Sequence, residues 1–128
     1  MEFPAVVTIL ALVEYIAFAM KAGLSRSKYG VEAPATTGNA EWERLFRVQQ
    51  NTLEQLIVFI PVLWIFSYFV SPVYGAAIGC VFLVGRILYS LAYVKEPSTR
   101  AVGFVSGFLT TVVLLVGSLI GIGMSLAG

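Results

Sequence analysis

Four long apolar runs, at about residues 3–24, 45–70, 73–94 and 101–127, set the pattern of the chain. Their hydrophobic positions are continuous rather than alternating, which excludes half-buried strands. Each run is long enough to cross a hydrocarbon core of ~30 Å once as a helix. The polar stretches between them differ in character. Residues 25–40, SRSKYGVEAPATTGNA, contain Pro and Gly and read as a loop. Ser71-Pro72 makes a very tight turn, and Lys95-Glu96-Pro97-Ser98 makes another, with Ser98 as N-cap. The pattern predicts an all-α membrane protein in which residues 1–128 form one domain, an antiparallel bundle of four transmembrane helices.

Within that pattern, residues 41–70 stand apart. If they form one helix, its ~30 residues run about 45 Å, longer than the hydrocarbon is thick. The first half carries Glu41, Glu43, Arg44, Arg47, Gln49, Gln50, Asn51, Glu54 and Gln55, whereas the second half, from Leu56, is as apolar as lipid. At ~100° per residue Arg44, Arg47, Asn51, Glu54 and Gln55 share one arc, and Gln49 falls on the other side. Pro61 removes one helical hydrogen bond and predicts a bend in the apolar half. Gly75/Gly79, Gly103/Gly107 and Gly117/Gly121 are small-xxx-small pairs that let helix backbones approach closely.

Composition agrees with a membrane setting. The chain is 59% hydrophobic and 12% charged, where a soluble domain needs about 25% charged residues. A net charge of +1 without a basic run excludes a nucleic-acid partner. With no His and one Cys, zinc sites, His-based triads and intrachain disulfides are excluded, and no metal site is predicted. Cys80, in an apolar stretch, reads as a packing residue. Glu2 and Glu14 flank and interrupt the first apolar run and no basic segment precedes it, so residues 3–24 read as a retained span rather than a secretory signal. Lys21, Arg26, Lys28, Arg44, Lys95 and Arg100 all flank the first and third connections. The positive-inside rule then places these two charged loops in the cytoplasm and both termini outside.

Charges within spans are expensive and therefore point to function. Glu14, Arg47, Glu54 and Arg86 qualify. The plainer reading is an internal ion pair that holds the bundle together: Glu54 with Arg47 along the helix or with Arg86 across it, and Glu14 with a basic residue at its own level. The alternative is a site. Arg86, Tyr89 and Tyr93 are spaced i, i+3, i+7 on one face, and Arg100 follows across the Pro97 turn. Arg26, Arg47, Asn51, Glu54, Tyr89, Tyr93 and Arg100 thus converge at the cytoplasmic helix ends, in a cationic, hydrogen-bonding pocket open sideways to lipid. Such a pocket suits a small zwitterion: arginines pair carboxylates, Glu54 takes an ammonium, and amides read peptide groups. The tripeptide thiol glutathione has all of these parts. An arginine near its sulfur favours the thiolate, and a shift of two pKa units takes about 2.7 kcal/mol.

The run Glu41-x-Glu43-Arg44-x-x-Arg47-x-Gln49-x-Asn51-x-x-Glu54 resembles the signature of the MAPEG family, the membrane-associated proteins of eicosanoid and glutathione metabolism. The resemblance extends back through Thr36-Thr37-Gly38 and forward through Gly85-Arg86-x-x-Tyr89-x-x-x-Tyr93 to Arg100. It implies a homotrimer of four-helix protomers with glutathione, as co-substrate, held at the subunit interfaces by Arg26, Arg47, Gln49, Asn51, Glu54, Tyr89 and Tyr93. It implies further that Arg100 activates the thiol, with Tyr93 orienting the sulfur. Two positions depart from the leukotriene-forming branch: Gln55 stands where that branch has a tyrosine, and Ser27 where it has a second arginine. The resemblance therefore implies a glutathione transferase or peroxidase of broad specificity, acting on a lipophilic electrophile or lipid hydroperoxide that arrives through the membrane. The alternative within the family is a non-catalytic lipid-binding and lipid-presenting protein, whose known example departs from the motif at the arginine and glutamate positions. A small efflux-type transporter, with Glu14 as its membrane glutamate, is a third class.

Overall fold

The computed structural model describes residues 1–96 and 101–128, with side chains in the second stretch from residue 104 onward. Five helices are present among the described residues: α1 (Glu2–Leu24), α2 (Arg26–Tyr29), α3 (Ala40–Phe69), α4 (Pro72–Lys95) and α5 (Ala101–Ala127). All but α2 are long and apolar enough to cross a membrane.

Local chemistry sets the helix ends. Asn39 begins α3 by accepting a hydrogen bond from the Trp42 backbone N–H at 3.0 Å, one of the donors a helix start leaves unsatisfied. Ser71 does the same for α4 with the N–H of Tyr74 at 3.2 Å, and Pro72, which has no N–H to satisfy, takes the first helical position. The two-residue connection Val70–Ser71 folds α4 straight back along α3. The expected Ser98 cap lies outside the described residues. α3 runs unbroken through Pro61, whose ring lies on an exposed face.

The 25–40 loop differs from its expected form, because its first residues wind into the single turn α2. Gly30, with φ of 70°, ends that turn in the left-handed region that glycine enters without a steric penalty.

Side-chain pairings give the helix directions. Ala22, Tyr15 and Thr8 of α1 bond Trp42, Gln49 and Trp64 of α3 in that order, so the two helices are antiparallel. Arg44 meets Val94, Thr52 meets Arg86 and Phe59 stacks on Phe82, so α3 and α4 are antiparallel as well. Gln55, Phe66 and Val70 of α3 lie against Gly107, Gly117 and Gly121 of α5, so those two run parallel. α3 and α4 form the central pair, each packed on both α1 and α5.

The core occupies the half of the bundle remote from the charged connections. Val7, Ala11, Leu56, Phe59, Leu63, Phe66, Phe82 and Leu114 meet there. Phe59 and Phe82 stack with ring centres 3.9 Å apart. Two of the expected small-residue pairs fit this packing: a Cβ on Gly79 would lie 2.7 Å from Val7 Cγ1, and one on Gly117 would lie 2.5 Å from Phe66 Cε2, while the surroundings of Gly103 lie outside the described residues. Cys80 departs from its reading as a packing residue. It is exposed on the outer side of α4, while Gly79 and Phe82 take the inward positions.

Candidate functional site

The polar half of α3 is held at its start by Trp42, which is fully buried and donates from Nε1 to the carbonyl of Ala22 at 2.8 Å. The Arg26 guanidinium lies over the face of this indole, 4.5 Å from its centre, and donates to the Ala35 carbonyl at 2.8 Å. The loop is thereby folded onto the head of α3. Glu43 reaches back to the N–H of Gly38 at 3.2 Å. Arg44 donates to the Val94 carbonyl near the end of α4 at 3.4 Å, which ties the first and third connections to one end of the bundle.

One turn further along, the stripe divides. Arg47 and Glu54 stand 3.9 Å apart on an outward face, each with about half of its side chain exposed (54% and 53%). Asn51 lies between them on the helix surface, one turn from each. Its Oδ1 is buried and has no hydrogen-bond partner among the described residues. Gln49 lies on the other flank, as its angle on the wheel requires, and accepts from the Tyr15 hydroxyl of α1 at 3.3 Å. From Trp42 to Glu54 these groups span about 18 Å of helix.

On α4, Tyr89 and Tyr93 stack with ring centres 5.5 Å apart and planes within 6°. Tyr89 is buried and Tyr93 half-buried. The Arg86 guanidinium lies 4.4 Å from the centre of the Tyr89 ring. The structure thus brings Arg47, Asn51 and Glu54 together on α3, and Tyr89 with Tyr93 on α4, at the same end of the bundle. Within one chain it does not bring Arg26 or Gln49 into contact with the Arg47–Glu54 pair. Arg100 lies outside the described residues.

Glu54 takes Arg47 as its cation, which leaves Arg86 for a different partner. That partner is Thr52, whose hydroxyl accepts from Arg86 Nη2 at 2.8 Å while donating to the Val48 carbonyl at 2.7 Å. The role of Thr52 is not apparent from motif reading, yet the sequence holds a signal for it. Thr52 is the polar position in the buried stripe Leu45, Val48, Leu56, Phe59, and it faces the one charged position in the buried stripe of α4. Glu14, expected to pair with a basic residue at its own level, makes no ion pair among the described residues. The charge of Arg86 on α4 acts on it from beyond ion-pair distance.

Together these features define an integral membrane four-helix protein with a charged, amide-bearing and tyrosine-bearing site at one end. The chain belongs to the MAPEG family, whose pattern matches residues 4–120. It is similar to uncharacterized protein sll1147 of Synechocystis sp., at 47% identity over 94% of this chain and 88% of that protein. It is also similar to human microsomal glutathione S-transferase 2, at 39% identity over 78% of this chain and 68% of that enzyme. Bovine leukotriene C4 synthase is 31% identical over 73% of this chain and 63% of that enzyme.

Proposed function

We propose that this chain is a membrane-bound glutathione transferase, also able to reduce lipid hydroperoxides, and that it works as a homotrimer. The observation that carries the reading is the half-exposed Arg47–Glu54 pair with the unpartnered Asn51 carbonyl oxygen beside it. About 30 Å of helix measured back from Phe69 reaches Gln50, so Asn51 and Glu54 fall within hydrocarbon depth. Half-exposed charge at that depth is stable only against another polar surface. A neighbouring copy supplies such a surface, and its Arg26 or Gln49 would complete the set that one chain leaves apart. Membership of a family that includes glutathione S-transferases supports the same ligand.

In this reading Arg47 pairs a glutathione carboxylate, Glu54 accepts from its ammonium, and Gln49 and Asn51 bond its peptide groups. Tyr89 and Tyr93 wall the thiol end, and Arg100 holds the sulfur as thiolate. The thiolate then attacks an electrophilic carbon, forming a C–S bond as the leaving group departs with its electron pair. With a lipid hydroperoxide it attacks the outer peroxide oxygen. The O–O bond breaks, lipid alkoxide leaves and takes a proton, and the sulfenic acid of glutathione condenses with a second glutathione to give the disulfide and water. The second substrate enters sideways from the bilayer. The charged loops and the site face the cytoplasm, with both termini outside.

Calorimetry of the detergent-solubilised protein with glutathione tests the proposal. Binding is expected in the wild type and a loss of at least about tenfold in affinity, ~1.4 kcal/mol, in Arg47→Ala. A wild-type protein that binds lipid but not glutathione would instead be a lipid presenter.

A further inference from the structure

Arg86 is fully buried, yet it has no carboxylate at ion-pair distance among the described residues. Glu14 acts on it only at longer range. Of its N–H groups, those on Nη2 include the bond to Thr52, while Nε and Nη1 have no hydrogen-bond partner among the described residues. A charge left this incompletely paired would not persist for packing alone, because an apolar side chain of similar volume would fill the space without the desolvation penalty. Its surroundings instead fix its plane. From α3, the Thr52 hydroxyl has committed its proton to the Val48 carbonyl, so it can only accept from Arg86. From α5, Gly107 brings its backbone close: a Cβ there would lie 3.8 Å from Arg86 Cδ and 3.0 Å from Gln55 Oε1. The guanidinium also lies over the face of Tyr89, and Tyr93 stacks beyond that ring.

We infer that Arg86, clamped by Thr52 and Gly107, is the positioning residue that sets the Tyr89–Tyr93 stack and, through it, the placement of the Tyr93 hydroxyl at the thiol. The inference rests on the glutathione reading for its catalytic consequence and on geometry alone for the clamp. The guanidinium is planar and lies against the ring, so its orientation and the tilt of Tyr89 are coupled. Tyr93, stacked nearly parallel on Tyr89, inherits that tilt. Arg86 itself touches no reacting atom.

The test uses the full-length protein in detergent with all six tyrosines replaced by fluorotyrosine, their ¹⁹F signals assigned by single Tyr→Phe substitutions. Arg86→Gln and the milder Thr52→Val are each expected to displace the Tyr89 and Tyr93 signals. Those of Tyr68 and Tyr74, near the opposite turn, should stay fixed. An unmoved Tyr93 signal in a folded Thr52→Val or Arg86→Gln protein overturns the clamp. The catalytic half is read by a double-mutant cycle on glutathione turnover. Arg86→Gln is expected to lower kcat about tenfold in the wild-type background and less than about twofold in Tyr93→Phe. Equal losses in both backgrounds would make Arg86 a structural residue and refute its action through Tyr93. Absence of any glutathione turnover in the wild type would sink the functional reading, while the fluorine spectra would still decide the clamp.

Discussion

The two halves of α3 are built on opposite principles, although they belong to one continuous helix. From Leu56 onward the buried contacts are mostly apolar, the buried Ser67 hydroxyl is satisfied by the Leu63 carbonyl, and glycines of α4 and α5 sit where a methyl group would collide with Phe66, Val7 or Val70. Little is left to satisfy there: among the described residues of this half, only the Ser118 hydroxyl of α5 is buried without a partner. From Trp42 to Gln55 the helix carries polar atoms with incomplete partners, including Asn51 Oδ1, Gln55 Oε1 and the Arg86 nitrogens opposite. In lipid, packing of small residues holds helices together, while buried polar groups that lack partners are costly. One half therefore specifies the bundle, while the other keeps polar atoms that a bound group could satisfy.

This contrast is open to direct attack. The largest effect is expected from Phe59→Ala in the tight half: losing the fully buried ring stacked on Phe82 should destabilise the bundle by about 3 kcal/mol or more. Thermal unfolding in detergent would read the loss, and glutathione affinity measured below the transition should be little changed. Next comes Arg100→Ala, expected to reduce conjugation turnover about a hundredfold, ~2.7 kcal/mol, with glutathione affinity nearly intact. Unchanged turnover would remove Arg100 from the chemistry. Gly117→Ala should lower stability by about 2 kcal/mol because its new methyl group meets the Phe66 ring. Should it instead be neutral, the tight half is more compliant than its glycines indicate. The smallest effect is expected from Tyr15→Phe, which removes the donor to Gln49 and is worth about 1 kcal/mol. It should appear as a few-fold loss of glutathione affinity with only a small fall in melting temperature.

Much of this architecture is legible in the residues themselves. Continuous apolar runs can be satisfied only by helices, and Ser71-Pro72 marks a turn because a hydroxyl cap and an N–H-free ring suit a helix start. The Arg47–Glu54 pair follows from a two-turn spacing. α2 was not legible: four residues that bury nothing leave no apolar period to detect. The surroundings of Arg86 and Glu14 were hidden for a different reason. They depend on which helices sit side by side, and sequence distance carries no information about that. Cys80 was misplaced because an apolar span in lipid has no polar face to mark its outside, so hydrophobicity alone cannot separate core from lipid contact.

The unbroken length of α3 has a mechanical consequence. Its 30 residues make a rod of about 45 Å, with the charged pair and the greasy anchor on the same shaft. When a bilayer thins or thickens by a few Å, the rod must slide or tilt to match it. The height of Arg47 and Glu54 above or below the headgroups changes with that movement. Reconstituted in lipids of graded acyl-chain length, the protein would translate membrane thickness into exposure of its charged end, acting as a depth gauge.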